Sequence, residues 1–162
     1  MRFELRQTFA QPPTTVDRAY ADPELYPTLV GLPKLGDIEV LSHETDEQQA
    51  RLAIRFAFTG DLPPAVTAVV DPRRLTWVQQ SVHDLARGIT TFRLVPDHYP
   101  DRLSASGSAT VAAAGDGTRR VVAGELKVRA PLVAGRVEQA IVSGLGEYLE
   151  AEAPAVDRYL GS

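Results

Sequence analysis

PLVAGRVEQAIVSGLGEYLEAEAPAVDRYL, residues 131–160, is the stretch on which the fold turns. Val133, Val137, Ala140, Ile141, Gly144, Leu145, Tyr148 and Leu149 recur at three- and four-residue steps, which lays them on one face of a helix. Arg136, Gln139, Ser143, Glu147 and Glu150 fall on the opposite face. Pro131 suits the first helical position, because its missing N–H would be unpaired there in any case. At 1.5 Å per residue the run to Ala153 spans roughly 33 Å, about the width of a small domain. A helix of that length needs one broad apolar partner, and the residues before it read as a sheet.

Immediately upstream, Val122, Gly124, Leu126 and Val128 recur at every second residue, the period of a strand, and finish the sheet. Ala114-Gly115-Asp116-Gly117 is a hairpin signal joining that strand to a run of small residues from Leu103 to Ala113. Before the Pro96–Pro100 loop, Leu75–Val82 and Gly88–Val95 read as two strands joined near Asp84. Asp71-Pro72-Arg73 is a turn, and Ala65–Val70 fits either a short strand or a helical turn. Leu52, Ile54, Phe56 and Phe58 form a strand face opposite Arg51, Ala53 and Arg55. Ile38, Val40 and Ser42 form another, with His43–Gln49 as the connection between them. At the start, Phe3, Leu5, Gln7 and Phe9 alternate with charged and polar residues until Pro12-Pro13 ends the strand. Two short helices follow, one capped by Thr14 and one by Asp22 with Pro23 at its first position. The order is strand, two short helices, about six strands and one long helix. It predicts an α+β fold with an antiparallel sheet and its helices on one face.

A chain of 162 residues fits one domain, residues 1–162, with enough mass to bury a core. Its 44% hydrophobic and 23% charged content is too apolar for disorder. A net charge of −4 argues against a nucleic-acid partner, as do basic pairs such as Arg73-Arg74 and Arg119-Arg120, which lack interleaved aromatics. With no cysteine, disulfides and thiolate metal sites are excluded. No apolar run approaches the ~20 residues of a membrane span. The alternating start, Met1 to Arg6, has no signal-peptide core. These features predict a soluble, cytoplasmic protein without stable membrane insertion.

The element order resembles the helix-grip fold of the START-like superfamily of lipid-transfer, polyketide-cyclase and allergen-type proteins. Within it, the chain is similar to a domain-of-unknown-function family. The resemblance rests on Ala21-Asp22-Pro23-Glu24-Leu25-Tyr26, on Leu62-Pro63, and on the run from Val128 to Glu138 leading into the long helix. It implies a curved sheet of about seven strands wrapped around the long helix, with an apolar ligand held between the two.

Several residues are candidates for such a site. Leu103–Thr110 carries small side chains on both strand faces beyond Leu103, and Gly124 and Gly144 add no bulk, so space is expected beneath the helix. Tyr26, Phe56, Trp77, Phe92 and Tyr148 are candidate aromatic lining, with Ile141, Gly144 and Leu145 from the helix. Either face of Trp77's strand fits inward. Arg93 interrupts the face of Ile89, Thr91 and Val95 and has the reach for an anionic head group. Glu138 projects to the margin of the helix's apolar stripe and Glu152 falls within it, where an unpaired carboxylate is costly. Each is a candidate polar handle for a ligand hydroxyl or amine, or a general acid/base. The simpler alternative pairs Glu138 with an arginine and lets Glu152 reach solvent, because Pro154 disturbs the helix beyond it.

His43, His83 and His98 lack ligand spacing, so no metal or cofactor is expected. Ser81, His83 and Asp84 have the residue types of a triad, but neighbours on one strand point to alternate faces, so the three cannot converge. No catalytic constellation is visible. A carrier of a lipid, isoprenoid or polyketide-like molecule is therefore expected first. A cyclase-type enzyme in the same pocket comes second, and a ligand-free interaction module third.

Overall fold

In the computed structural model, which describes residues 1–161, strand β1 (Arg2–Phe9) is followed by helix α1 (Pro13–Tyr20) and a 3-10 helix (Pro23–Leu29). Then come β2 (Leu35–Thr45), β3 (Gln49–Phe58), a single helical turn α2 (Pro64–Thr67) and a short 3-10 turn at Pro72–Arg74. Strands β4 (Thr76–Asp84), β5 (Ile89–Pro96), β6 (Leu103–Ala114) and β7 (Gly117–Val128) lead to helix α3 (Ala134–Gly161). All seven strands form one antiparallel sheet in the order β1-β7-β6-β5-β4-β3-β2. No helix of the described residues is long and apolar enough to cross a membrane.

Sheet register follows from the alternation in sequence. Leu52, Ile54 and Phe56 of β3 are buried and stand beside Ser81, Gln79 and Trp77 of β4. Trp77 therefore faces inward, as Phe56 does. Gly107 of β6 pairs directly with Gly124 of β7, and only glycine fits there. A Cβ on Gly107 would stand 2.2 Å from Ala123 O, and one on Gly124 would stand 2.4 Å from Ser106 O. The rings of Phe92 and Phe3 close over this pair, with Phe92 Cζ 2.9 Å from the Gly107 position and Phe3 Cζ 3.1 Å from the Gly124 position. Part of the space left by the small residues is thus filled by neighbouring phenylalanines.

Helix α3 lies over β1 and β7 and touches the first 3-10 helix. Val137, Ile141, Tyr148, Leu149 and Val156 are its large buried residues. Each contributes about 1.5–3 kcal/mol by the apolar area it removes from water. Its start and end differ from the sequence expectation. Pro131, Leu132 and Val133 form a turn ahead of the helix, with Leu132 at φ 66°, so Pro131 is not its first residue. The helix also continues through Pro154 to Gly161. Pro154 is exposed while Ala153, Ala155 and Val156 are buried, so burial on the inner face outweighs the bond that proline removes. Helix α1 begins at Pro13 without a side-chain cap, in place of the expected Thr14 cap. Asp22 does cap the 3-10 helix, accepting from Glu24 N at 2.9 Å.

Candidate functional site

Between the inner face of the sheet and α3 lies a partly enclosed cavity of ≈ 100 Å³. Strand parity supplies one wall: Phe56, Trp77, Leu94, Ala105, Val122 and Leu126 all point inward. Ile141, Val142, Leu145, Tyr148 and Leu149 of α3 supply the other, and Tyr20, Tyr26 and Leu35 close an end. Phe56 and Trp77 stack with their rings 6.4 Å apart at 25°.

One end of this apolar cavity is polar. Glu152, only 4% exposed, enters from α3. Its Oε1 accepts from Tyr20 Oη at 2.5 Å and from Gln7 Nε2 at 3.1 Å. Gln7 also donates to Leu149 O at 2.9 Å, and its Oε1 accepts from Arg120 Nη1 at 2.8 Å. The Arg120 guanidinium lies over the Tyr20 ring, 3.8 Å from its centroid. Burial and the Glu152 carboxylate push the Tyr20 hydroxyl well above the usual phenol range. Tyr26 is raised by burial first and then by Glu152, and it donates to Tyr20 O at 2.5 Å. Tyr148 is different. Its buried hydroxyl has no hydrogen-bond partner among the described residues, although the nearby Glu152 carboxylate adds to the rise that burial causes.

A second polar group lines the sheet side. His83 is 2% exposed and sits between two hydroxyls, with Nε2 3.0 Å from Ser81 Oγ and Nδ1 3.0 Å from Thr90 Oγ1. Burial, with a smaller push from the Arg120 charge, lowers its pKa to about 4, so the ring is neutral at pH 7. A neutral imidazole has one donor and one acceptor, so one hydroxyl donates to the ring and the other accepts from it. Ser81 and His83 share a face because they are two residues apart, while Asp84 lies on the other face, so the three do not converge as a triad.

Of the residues expected at a ligand site, Tyr26, Phe56, Trp77, Phe92, Ile141, Leu145, Tyr148 and Glu152 line this cavity. Gly144 does not. It packs against Phe58, whose Cε2 would lie 2.7 Å from a Cβ there. Glu138 is also elsewhere: its Oε2 accepts from Val128 N at 3.0 Å and lies 3.5 Å from the Met1 amine, tying the helix start to β7. Arg93 points to the sheet's outer face and donates to Gln80 Oε1 at 2.9 Å. That face carries an open trough of ≈ 460 Å³ along Arg51, Gln80, Thr91 and Arg93, on the opposite side of the sheet from the buried polar cluster. His43 is exposed near the end of β2, a strand that runs on to Thr45. Gln7, Tyr20 and Arg120 join the site beyond those expectations. The signal for two of them is parity: Gln7 shares its face with Phe3, Leu5 and Phe9, and Arg120 with Val122, Gly124 and Leu126.

A long helix gripped by a seven-stranded antiparallel sheet, with two short helices after the first strand, defines a helix-grip fold. Within it, the chain belongs to the family described as Protein of unknown function (DUF2505), whose model matches residues 4–160. Comparison with curated proteins gave no match. Among solved structures, the Thermus thermophilus protein TTHA0849 superposes with a TM-score of 0.70 at 16% identity, covering 99% of this chain and 97% of that one. The Zhui aromatase/cyclase from Streptomyces sp. R1128 gives 0.65 at 19% identity, covering 99% and 93%. Norcoclaurine synthase from Thalictrum flavum gives 0.64 at 15% identity, covering 100% and 87%. At these identities the likeness is one of fold.

Proposed function

We propose that this protein binds a small, largely apolar molecule of the lipid, isoprenoid or polyketide class in the cavity between sheet and α3, as a carrier or sensor. The observation that carries the reading is the cavity itself: an aromatic and aliphatic lining that ends at one buried carboxylate and one unpartnered hydroxyl. Apolar walls supply affinity through buried area, and a few convergent polar groups set orientation. Solved proteins of the same fold include an aromatase/cyclase and norcoclaurine synthase, which is consistent with a ligand cavity in this position. Native mass spectrometry of freshly purified protein, with organic extraction of whatever is released, tests the reading. A stoichiometric apolar passenger supports it. An empty protein that also fails to enhance a fluorescent lipid probe removes it.

Glu152 supports a second reading on the same pocket. A carboxylate lining the cavity is placed to exchange a proton with a bound molecule, as a cyclase-type enzyme requires. Recovery of the bound compound chemically unchanged after prolonged incubation rejects that reading and leaves the carrier.

A further inference from the structure

Four residues stand in one straight row across four strands of the sheet. Phe3 of β1 is opposite Gly124 of β7, Gly124 is opposite Gly107 of β6, and Gly107 is opposite Phe92 of β5. Both phenylalanines line the cavity, and their ring tips lean from either side over the two glycines. Neither ring is fully buried. The row also lies at the middle of the site. On one side of it Leu126, Leu94 and Gln79 line the cavity, and on the other Val122, Thr90 and His83 do. The rings therefore occupy the waist of the site, between the half that holds Trp77 and the half where Gln7 meets Glu152.

The space left between sheet and helix is ≈ 100 Å³. Sites for small organic ligands span about 300–1,000 Å³, and a single benzene occupies a cavity of about 150 Å³. The space as it stands is too small for the ligand class proposed above. Withdrawing both rings would bring it to about 400 Å³, inside the range of a ligand site. We propose that the Gly107–Gly124 pair is the floor of a ligand subsite, and that the rings of Phe3 and Phe92 fill it until a flat apolar segment, a ring or an extended chain, takes their place. This rests on the ligand-binding reading above and assigns the part of the cavity that admits the ligand. Two glycines side by side present bare Cα atoms, so a flat group can lie directly against the sheet. The exchange costs little, because the ligand covers the glycines as the rings did and only partly buried side chains have to turn. The buried Tyr148 hydroxyl, which lines the same cavity without a hydrogen-bond partner among the described residues, is a second sign that the chain's own groups do not complete this interior.

The test is titration of the wild-type protein, Phe3→Ala and Phe92→Ala with N-phenyl-1-naphthylamine, a neutral fluorescent probe built of flat apolar rings. A ring that competes with the ligand weakens its apparent affinity by the fraction of molecules in which the subsite is open. With the subsite open in about a tenth of molecules, each variant is expected to bind the probe about tenfold more tightly than the wild type. A ring that is ordinary wall gives the opposite sign, because its removal takes away buried contact area. Urea unfolding checks that each variant folds cooperatively, and Phe92→Leu, which also lifts the ring from Gly107, replaces an alanine variant that does not. A second measurement uses the wild type alone. Nuclear Overhauser contacts from the Hζ protons of Phe3 and Phe92 to the Hα protons of Gly107 and Gly124 should be present without probe and lost at saturation. Weaker or unchanged probe affinity in the variants, or ring contacts that persist with the probe bound, overturns the subsite while leaving the cavity as a ligand site. If neither the wild type nor any variant binds the probe, both the subsite and the ligand-binding reading fall.

Discussion

Tyr20 and Glu152, 132 residues apart, are joined by a 2.5 Å hydrogen bond in the interior, fastening the first short helix to the long last one. The bond tests how far this buried network stabilises the fold. Tyr20→Phe keeps the ring that stands edge-on to Phe9, 6.2 Å between centroids, and that lies beneath Arg120, but removes the donor. Glu152 Oε1 is then left with Gln7 as its donor. A loss of about 1–3 kcal/mol is expected in urea denaturation. An unchanged midpoint would mean that the bond contributes nothing net.

Stability against pH should show two opposed contributions. Buried His83 has its pKa lowered from 6.5 to about 4. The unfolded chain therefore binds the extra proton between those values, and this contribution is lost as pH falls through that window. Asp17, also buried, has its pKa raised from 3.8 to about 6, mainly by desolvation, against the pull of Arg120 and with a smaller push from Asp84. Here the folded state holds the proton more tightly, so stability is lost as pH rises from 3.8 to 6. Each full shift corresponds to about 3 kcal/mol, so the two nearly cancel in the wild type. Asp17→Asn exposes the His83 limb alone: its thermal midpoint should fall more steeply than the wild type's on going from pH 6.5 to 4. Parallel profiles for the two proteins would contradict the assignment of Asp17.

Two glycines of α3 should respond in opposite directions to alanine. At Gly144 a Cβ would stand 2.7 Å from the buried Phe58 ring, so Gly144→Ala should cost about 1–3 kcal/mol by overpacking. Gly135 has nothing within 4 Å of its Cβ position, so Gly135→Ala should stabilise by about 0.5–1 kcal/mol through helix propensity. Thermal melts of both variants check the pair, and equal shifts would contradict the packing at Gly144.

Filling the cavity from its half-buried side should separate binding from folding. Leu145 lines the space and is not fully enclosed, so Leu145→Trp has room to occupy the cavity without breaking the core. Expected is loss of fluorescent lipid-probe binding with the far-ultraviolet circular dichroism unchanged. Binding that survives would locate the ligand elsewhere.

The strands were legible because alternation is a local property: Phe3 to Phe9 and Leu52 to Phe58 announce their inner faces without any tertiary information. The same parity points Phe56 and Phe92 at the cavity. What remained hidden was decided by packing. Pro154 reads as a helix breaker, but the burial of Ala155 and Val156 carries α3 past it and keeps Glu152 inside. Gly144 reads as space beneath the helix, yet Phe58 fills it. Arg93 interrupts the face of Ile89, Thr91 and Val95, and only the packed sheet shows that this face is the outer one. The partners of Glu152 come from β1 and α1, and no spacing in the chain records that they meet.

The sheet order has a consequence for how the chain assembles. Strand β1 lies at an edge, and its one strand partner among the described residues is β7, with Arg2 opposite Glu125 and Phe9 opposite Thr118. During synthesis the five strands from β2 to β6 can zip together hairpin by hairpin, while the first strand made waits for the last. Its closure is the most non-local strand pairing in the sheet, so it falls late and is slow relative to the hairpins. It brings Gln7 beside Arg120 and then beneath α3, so the polar end of the cavity comes into being only when the N-terminal strand is zipped home. A nascent chain stalled before β7 would carry a finished set of hairpins, an orphan strand open to pairing with another copy, and no cavity at all.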